Sequence, residues 1–269
     1  MPRRRGPGRI ATGSGILCAG MRIAVAGGTG TIGRRIAAAL SRDGHEVRAL
    51  SRSAMQYPVD LTTGAGLEAA LVGCDVVVDA SNGPPSRRAR AVLVEGSRRL
   101  LETGARAGVR HHVCVSIVGI EDVPLGYYRV KLEQEGVVES AGLPWTIVRS
   151  TQFHDLLGSL LSAAGRWHVL PVARARFQPV GVDEAADAVA AVATDAPRLT
   201  RVTVAGPEVH DLRSLGRMWR EATGRRAIAI PIPLPGRLGR AVRDGRLTCA
   251  NPDVGGTQTF AAWLQANAD

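Results

Sequence analysis

The chain has 269 residues, enough for one large α/β domain alone or with a small lobe, and 45% of them are hydrophobic, as in an ordinary globular protein. No apolar run reaches the roughly 18 residues of a membrane-spanning helix, so the expectation is a cytoplasmic protein with no membrane partner. The net charge of +10 suits anionic ligands, but aromatics at 4% offer little for base stacking, and nucleic acid is not an expected partner.

Residues 1–20 are glycine-rich and carry Arg3, Arg4, Arg5 and Arg9 without a periodic apolar pattern. "ILCAG" is shorter than the roughly 7–15 apolar residues of a signal peptide. This segment reads as a disordered basic tail, or as a start placed too far upstream. Cys18, Cys74, Cys114 and Cys249 form no CxxC pair and read as free thiols in a reducing compartment. No cluster has metal-ligand spacing, and no metal is expected.

From Met21 short apolar strands alternate with longer amphipathic helices. "RIAVAG" (22–27) is a strand, "TIGRRIAAALSRDG" (31–44) a helix ending at glycine, and "HEVRALSR" (45–52) the next strand. A short helix (67–73) leads into the buried strand "CDVVVDAS" (74–81). A helix over 86–108 precedes the strand 109–119, which opens with His111 and His112, both read as structural. A helix over 127–142 precedes the strand 144–150. Strands separated by helices predict parallel βαβ units and a doubly wound α/β sheet of Rossmann type. The dinucleotide-type core is expected over 21–150. After residue 151 the spacing loosens; one helix (183–195) and the proline-rich "PIPLPG" (231–236) predict a smaller C-terminal substrate-binding lobe, 151–269, packed on the same domain.

"GGTGTIG" occupies 27–33, after a strand and opening a helix. Gly28, Gly30 and Gly33 satisfy GxGxxG, and Gly27, Gly30 and Gly33 satisfy GxxGxxG. In that context the glycines permit a tight turn, backbone approach to a pyrophosphate and close packing of the helix. Unpaired N–H groups of Thr29, Thr31 and Ile32 at the helix start attract phosphates. NAD enzymes place a carboxylate at the end of the second strand; here Ser51 and Arg52 stand there, which predicts NADP(H) through charge-assisted hydrogen bonds to a 2′-phosphate.

Lys131 is the only lysine in the chain; the other 33 basic residues are arginines. Tyr127 lies four positions before it, so on a helix the two share a face. A phenol with a reference pKa of about 10 needs help to act as an acid–base group, and a compact ammonium fits between ribose hydroxyls and a phenol better than a guanidinium fork.

Together GGTGxxG, the YxxxK helix and "PWTIVRSTQF" resemble the atypical short-chain dehydrogenases/reductases, the NmrA-like NAD(P)-binding group, over roughly 21–269. The resemblance implies an NADP(H)-dependent oxidoreductase acting on a carbonyl, enone or hydroxyl of a small molecule. It implies Tyr127 as general acid/base and Lys131 as the group that holds the ribose and tunes the tyrosine. Ser116, slightly closer to Tyr127 in sequence than is usual, is matched to the serine that polarises the substrate carbonyl. It further implies cofactor contacts from Asp60, in "VDLT" after a third strand, and from Ser81 and Asn82 after the fourth. Gln152, Phe153 and His154, after the strand at 144–150, are candidates to line the substrate pocket, with a satisfied structural histidine the favoured reading of His154. A cofactor-sensing regulator without catalysis and a nucleotide-sugar epimerase or dehydratase are the alternatives.

Overall fold

The computed structural model describes residues 20–83 and 87–267. The expected tail, but for Gly20, lies outside the described residues, and Cys18 with it. The strands β1 (Arg22–Ala26), β2 (Glu46–Leu50), β3 (Val76–Asp79), β4 (His111–Ile117) and β5 (Trp145–Ser150) fall where the sequence places them. Between them run α1 (Gly33–Arg42), α2 (Leu67–Leu71), α3 (Arg87–Arg90), α4 (Gly96–Ala107) and α5 (Gly126–Ser140). The helix expected over 86–108 is α3 and α4 joined through a π-helical turn, Ala91–Glu95. No strand forms ahead of Asp60. Pro58 lacks a donor, and the segment makes only isolated bridges, Ser51 to Pro58 and Asp60 to Ala65.

After β5 come α6 (His154–Gly165), β6 (Val169–Val172), β7 (Arg176–Phe177) and α7 (Val182–Thr194). They are followed by β8 (Arg201–Ala205), β9 (His210–Asp211), α8 (Leu212–Thr223), β10 (Ile228–Pro231), α9 (Gly236–Arg243), β11 (Val254–Gly255) and α10 (Phe260–Asn267). The main sheet has seven parallel strands in the order β11-β8-β5-β4-β3-β1-β2.

Strand alternation supplies two apolar faces. Ile23, Val25, Val76, Val78, Val113 and Val148 face α1 and α7, whereas Ala24, Ala26, Val77, Cys114 and Ile147 face α2, α4 and α5. The second half of the chain divides its work. α7, β8 and β11 complete the sheet and its cover. Around Trp219, Phe260 and Leu264, helices α6, α8 and α10 build a separate cluster against β6. A smaller one gathers Val123, Ala175, Ala241 and Leu247 beside Tyr128.

The chain runs from β1 outward to β2 and then returns to β3 on the other side of β1. This reversal opens a crevice at the carboxyl ends of β1 and β3, the place where open α/β sheets bind ligands.

Candidate functional site

The crevice floor is the loop 27–33. Gly27 has φ +72, and a Cβ there would stand 2.6 Å from the Ala80 carbonyl oxygen. A Cβ on Gly33 would run into the Gly27 carbonyl oxygen. Both positions therefore demand glycine, one for its conformation and one for the close seat of α1. Gly28 N–H donates to the Leu50 carbonyl at 3.1 Å, tying the loop to the end of β2. Helix α1 starts without a side-chain cap and without an acid in its first turn. Among the described residues, the backbone N–H groups of Thr31, Ile32 and Gly33 have no acceptor. Thr29, Gly30 and Thr31 are exposed and Ile32 is buried. Uncapped donors and the positive end of the helix dipole in an open glycine loop fit an anionic phosphate.

Ser51 and the exposed Arg52 follow β2, with the Ser51 hydroxyl 3.3 Å from that of Ser53. Asp60 holds its own turn: Oδ1 accepts from Thr62 N–H at 2.8 Å and from the Thr62 hydroxyl at 2.6 Å. Those two bonds hold its carboxyl below the usual range, with a smaller contribution from the nearby Arg52 charge.

At the end of β3, Ser81 N–H donates to Asp79 Oδ1 at 3.0 Å, while among the described residues the buried Ser81 hydroxyl has no partner. That orphan polar group stands beside the glycine loop, since Ser81 Cα borders Gly27. Asn82 is exposed, and its Oδ1 accepts from Gly83 N–H at 2.9 Å and from the Tyr127 hydroxyl at 2.6 Å. The fold thus brings Tyr127 to the loop after β3, beside the crevice. Tyr127 is half-buried; burial, and then neighbouring Tyr128, raise its pKa.

Lys131 shares that helical face but does not turn its ammonium to the phenol. It is 4% exposed, and Nζ donates to the Val115 carbonyl at 2.7 Å and to Gln134 Oε1 at 2.6 Å. Gln134 Nε2 in turn donates to Asp79 Oδ2 at 3.1 Å and to the Ser97 hydroxyl at 2.9 Å, and Ser97 donates to Asp79. The sequence reading missed Asp79, Ser97 and Gln134. The signal was available for Asp79, a carboxylate within an otherwise apolar strand.

The geometry also gives Ser116, Gln152, Phe153 and His154 other partners. The Ser116 hydroxyl is 2% exposed and donates to Glu135 at 2.5 Å, so it secures a carboxylate rather than a substrate carbonyl. Gln152 is spent inside the fold: Nε2 donates to the Leu247 carbonyl at 3.0 Å, and Oε1 accepts from Gln178 N–H at 3.1 Å. Phe153 packs on the core and bridges Val180. His154 is fully buried, 5.6 Å from the Phe260 ring and 5.8 Å from the Trp263 ring. Burial lowers its pKa, leaving it a neutral packing group. The residues that secure the site came instead from α5: Glu135, 1% exposed, accepts from Ser116, from Arg149 at 3.0 and 2.7 Å, and from Arg201 at 3.2 Å. Burial alone would raise its pKa, but these bonds outweigh it and the net shift is downward.

The family model for NAD(P)H binding matches residues 27–196. The (4-alkanoyl-5-oxo-2,5-dihydrofuran-3-yl)methyl phosphate reductase of Streptomyces griseus subsp. griseus is 30% identical over 221 residues, 76% of this chain and 74% of that protein. The photosystem II assembly factor Ycf39 of Synechocystis sp. is 27% identical over 236 residues, 80% of this chain and 71% of that protein. The NADPH-dependent quinone oxidoreductase QOR2 of Escherichia coli, solved with NADPH, shares the fold with a TM-score of 0.77 at 17% identity, over 92% of this chain and all of that one. With the glycine loop at the switch point and the tyrosine–lysine helix beside it, these matches make the chain a member of the NAD(P)H-binding family.

Proposed function

We propose that the protein is an NADP(H)-dependent reductase of a carbonyl or enone on a small organic molecule, with Tyr127 as its proton donor. The observation that carries this reading is the Tyr127 hydroxyl, 2.6 Å from Asn82 at the edge of the crevice. The uncapped N–H groups of residues 31–33 and the unpartnered Ser81 hydroxyl fit a dinucleotide there. Arg52, with no carboxylate at the end of β2, favours the 2′-phosphate. When bound, the cofactor supplies hydride to the substrate carbon.

The chain's own part is to donate the proton. Burial raises the Tyr127 pKa, so the phenol is protonated at neutral pH and suits the reductive direction. Lys131 holds the middle of α5 against β4 and keeps an ammonium one turn from the phenol. Asp79, Ser97 and Gln134 fix that ammonium in place.

The inward-facing Lys131 and the occupied Ser116 also favour a second reading, an NADP-binding regulator without turnover. NADPH consumption with a panel of quinones, aldehydes and unsaturated lactones separates the two. Tyr127→Phe should lower kcat by roughly a hundredfold or more and leave NADPH affinity unchanged. NADPH binding without turnover on any substrate, or turnover unaffected by Tyr127→Phe, overturns the reductase mechanism.

A further inference from the structure

Strand β10 and the two residues after it read Ile-Ala-Ile-Pro-Ile-Pro, and all six are exposed. The strand has one neighbour, β6, in parallel, with Ile228 opposite Val169 and Pro231 opposite Val172. Ile228 N–H donates to the His168 carbonyl at 2.8 Å and Ile232 N–H to the Val172 carbonyl at 2.9 Å. By strand alternation the inward donors belong to 228, 230 and 232, and the outward ones to 229, 231 and 233. Pro231 and Pro233 have no N–H, so Ala229 is the one outward donor left on the free edge of this segment and pairing with another strand is disfavoured. The side chains remain open. Ile228 is 73% exposed, Ile230 45% and Ile232 44%. Trp167, 81% exposed, directly precedes the His168 that Ile228 bonds, at the start of the same strand pair.

Arginine is dense in the sequence around this row. Residues 212–246, from the start of α8 to just past α9, carry nine arginines against Glu221 and Asp244, a net +7 of the whole chain's +10. Beside Ile228 an open concavity of about 360 Å³ is lined by Arg217, Arg220, Arg225 and Arg226 with one acid, Glu221. Among the described residues the side chains of Arg225 and Arg226 take no ion pair, and that of Glu221 is held only by Arg217 at 4.0 Å.

We propose that the face formed by the end of α8 and by β10 is a docking surface for an anionic phospholipid bilayer. Trp167 and the isoleucines enter the headgroup boundary, where indole and short apolar rows are favoured. The arginines take lipid phosphates by charge-assisted hydrogen bonds. A second copy would bring two strongly basic faces together. The contact is peripheral, since no helix among the described residues is long and apolar enough to cross a membrane.

The test is co-sedimentation of the full chain with vesicles of phosphatidylcholine alone, or with phosphatidylglycerol added, at low and high salt. Binding should require the anionic lipid and weaken with salt. The double change Arg225→Ala, Arg226→Ala should cut partitioning roughly thirty-fold, at about 1 kcal/mol for each cation near the surface. Ile228→Ser with Ile230→Ser should weaken binding at every salt concentration, and both variants should melt with the parent because all four residues are exposed. Absence of sedimentation with either vesicle overturns the proposal. So does equal binding to both vesicles, or a light-scattering mass that shows a dimer lost in the isoleucine variant without vesicle binding.

Discussion

Replacing Glu135 by glutamine tests the frame on which the site depends. Glu135 is 1% exposed and is the common acceptor for Ser116 on β4, Arg149 on β5 and Arg201 on β8. Glutamine keeps the shape but removes the charge and one acceptor. Arg149, itself 8% exposed, is then left with Glu121, at 3.0 Å and half in solvent. Breaking a buried pair by neutralising one partner costs about 3–5 kcal/mol. For a domain of this size that lowers Tm by roughly 6–20 °C. Thermal and urea unfolding followed by circular dichroism give the number. The linkage has a definite sign. The folded pKa of Glu135 lies below the unfolded value, so its stabilisation is complete above the unfolded carboxylate range and is lost as pH falls through the folded pKa. Glu135→Gln should therefore flatten the acid limb of the stability profile. A variant within about 1 kcal/mol of the parent, with the same acid limb, refutes the assignment, because that is the size of an exposed pair.

Arg52→Ala should weaken NADPH binding by roughly ten- to a hundredfold in calorimetry and leave NADH unchanged; equal effects on both would mean that Arg52 does not meet the 2′-phosphate. His112 is fully buried and, among the described residues, without a hydrogen-bond partner, and burial lowers its pKa to about 4. The unfolded chain then binds the proton first, so stability should fall as pH drops from the unfolded value of about 6.5 toward 4, and His112→Asn should remove His112's share of that fall while His111 and His154 keep theirs. Lys131→Arg keeps the charge but forces a planar fork into a slot made for an ammonium; a loss of about 1–3 kcal/mol is expected in urea melts, and a melt matching the parent would count against this account.

The parts of the site legible in the sequence are those whose geometry is local. The glycine loop is seven consecutive residues between a strand and a helix, and steric demands at Gly27 and Gly33 are met within that stretch and at the end of β3. The Tyr127–Lys131 spacing is a property of one helix. The residues to which the geometry gives other partners depend on distant parts of the chain. In a parallel sheet both faces are apolar, so nothing in "VCVSIVG" tells which face Ser116 takes; the parity it shares with Cys114 turns it toward α5 and Glu135. His154 follows a strand whose end borders the crevice, yet its ring is covered by Phe260 and Trp263, more than a hundred residues later.

Helix α5 joins the two kinds of information. Tyr127, Lys131 and Glu135 recur every four residues, so they form one stripe along the helix. Their burial deepens along it, from the half-buried phenol to 4% exposure at Lys131 and 1% at Glu135. Each grips a different part of the sheet: the loop after β3, the backbone of β4, and the arginines of β5 and β8. The solitary lysine then has a physical reason beyond any contact with ribose. Its Nζ reaches the Val115 carbonyl and Gln134 Oε1 together. A compact ammonium satisfies two such acceptors in a closed space, whereas a guanidinium would carry more donors than the slot has oxygens to receive. The Tyr127 end of α5 is thus held at the crevice by charged groups buried progressively deeper behind it, and losing the deepest of them should disturb the phenol as well as the fold.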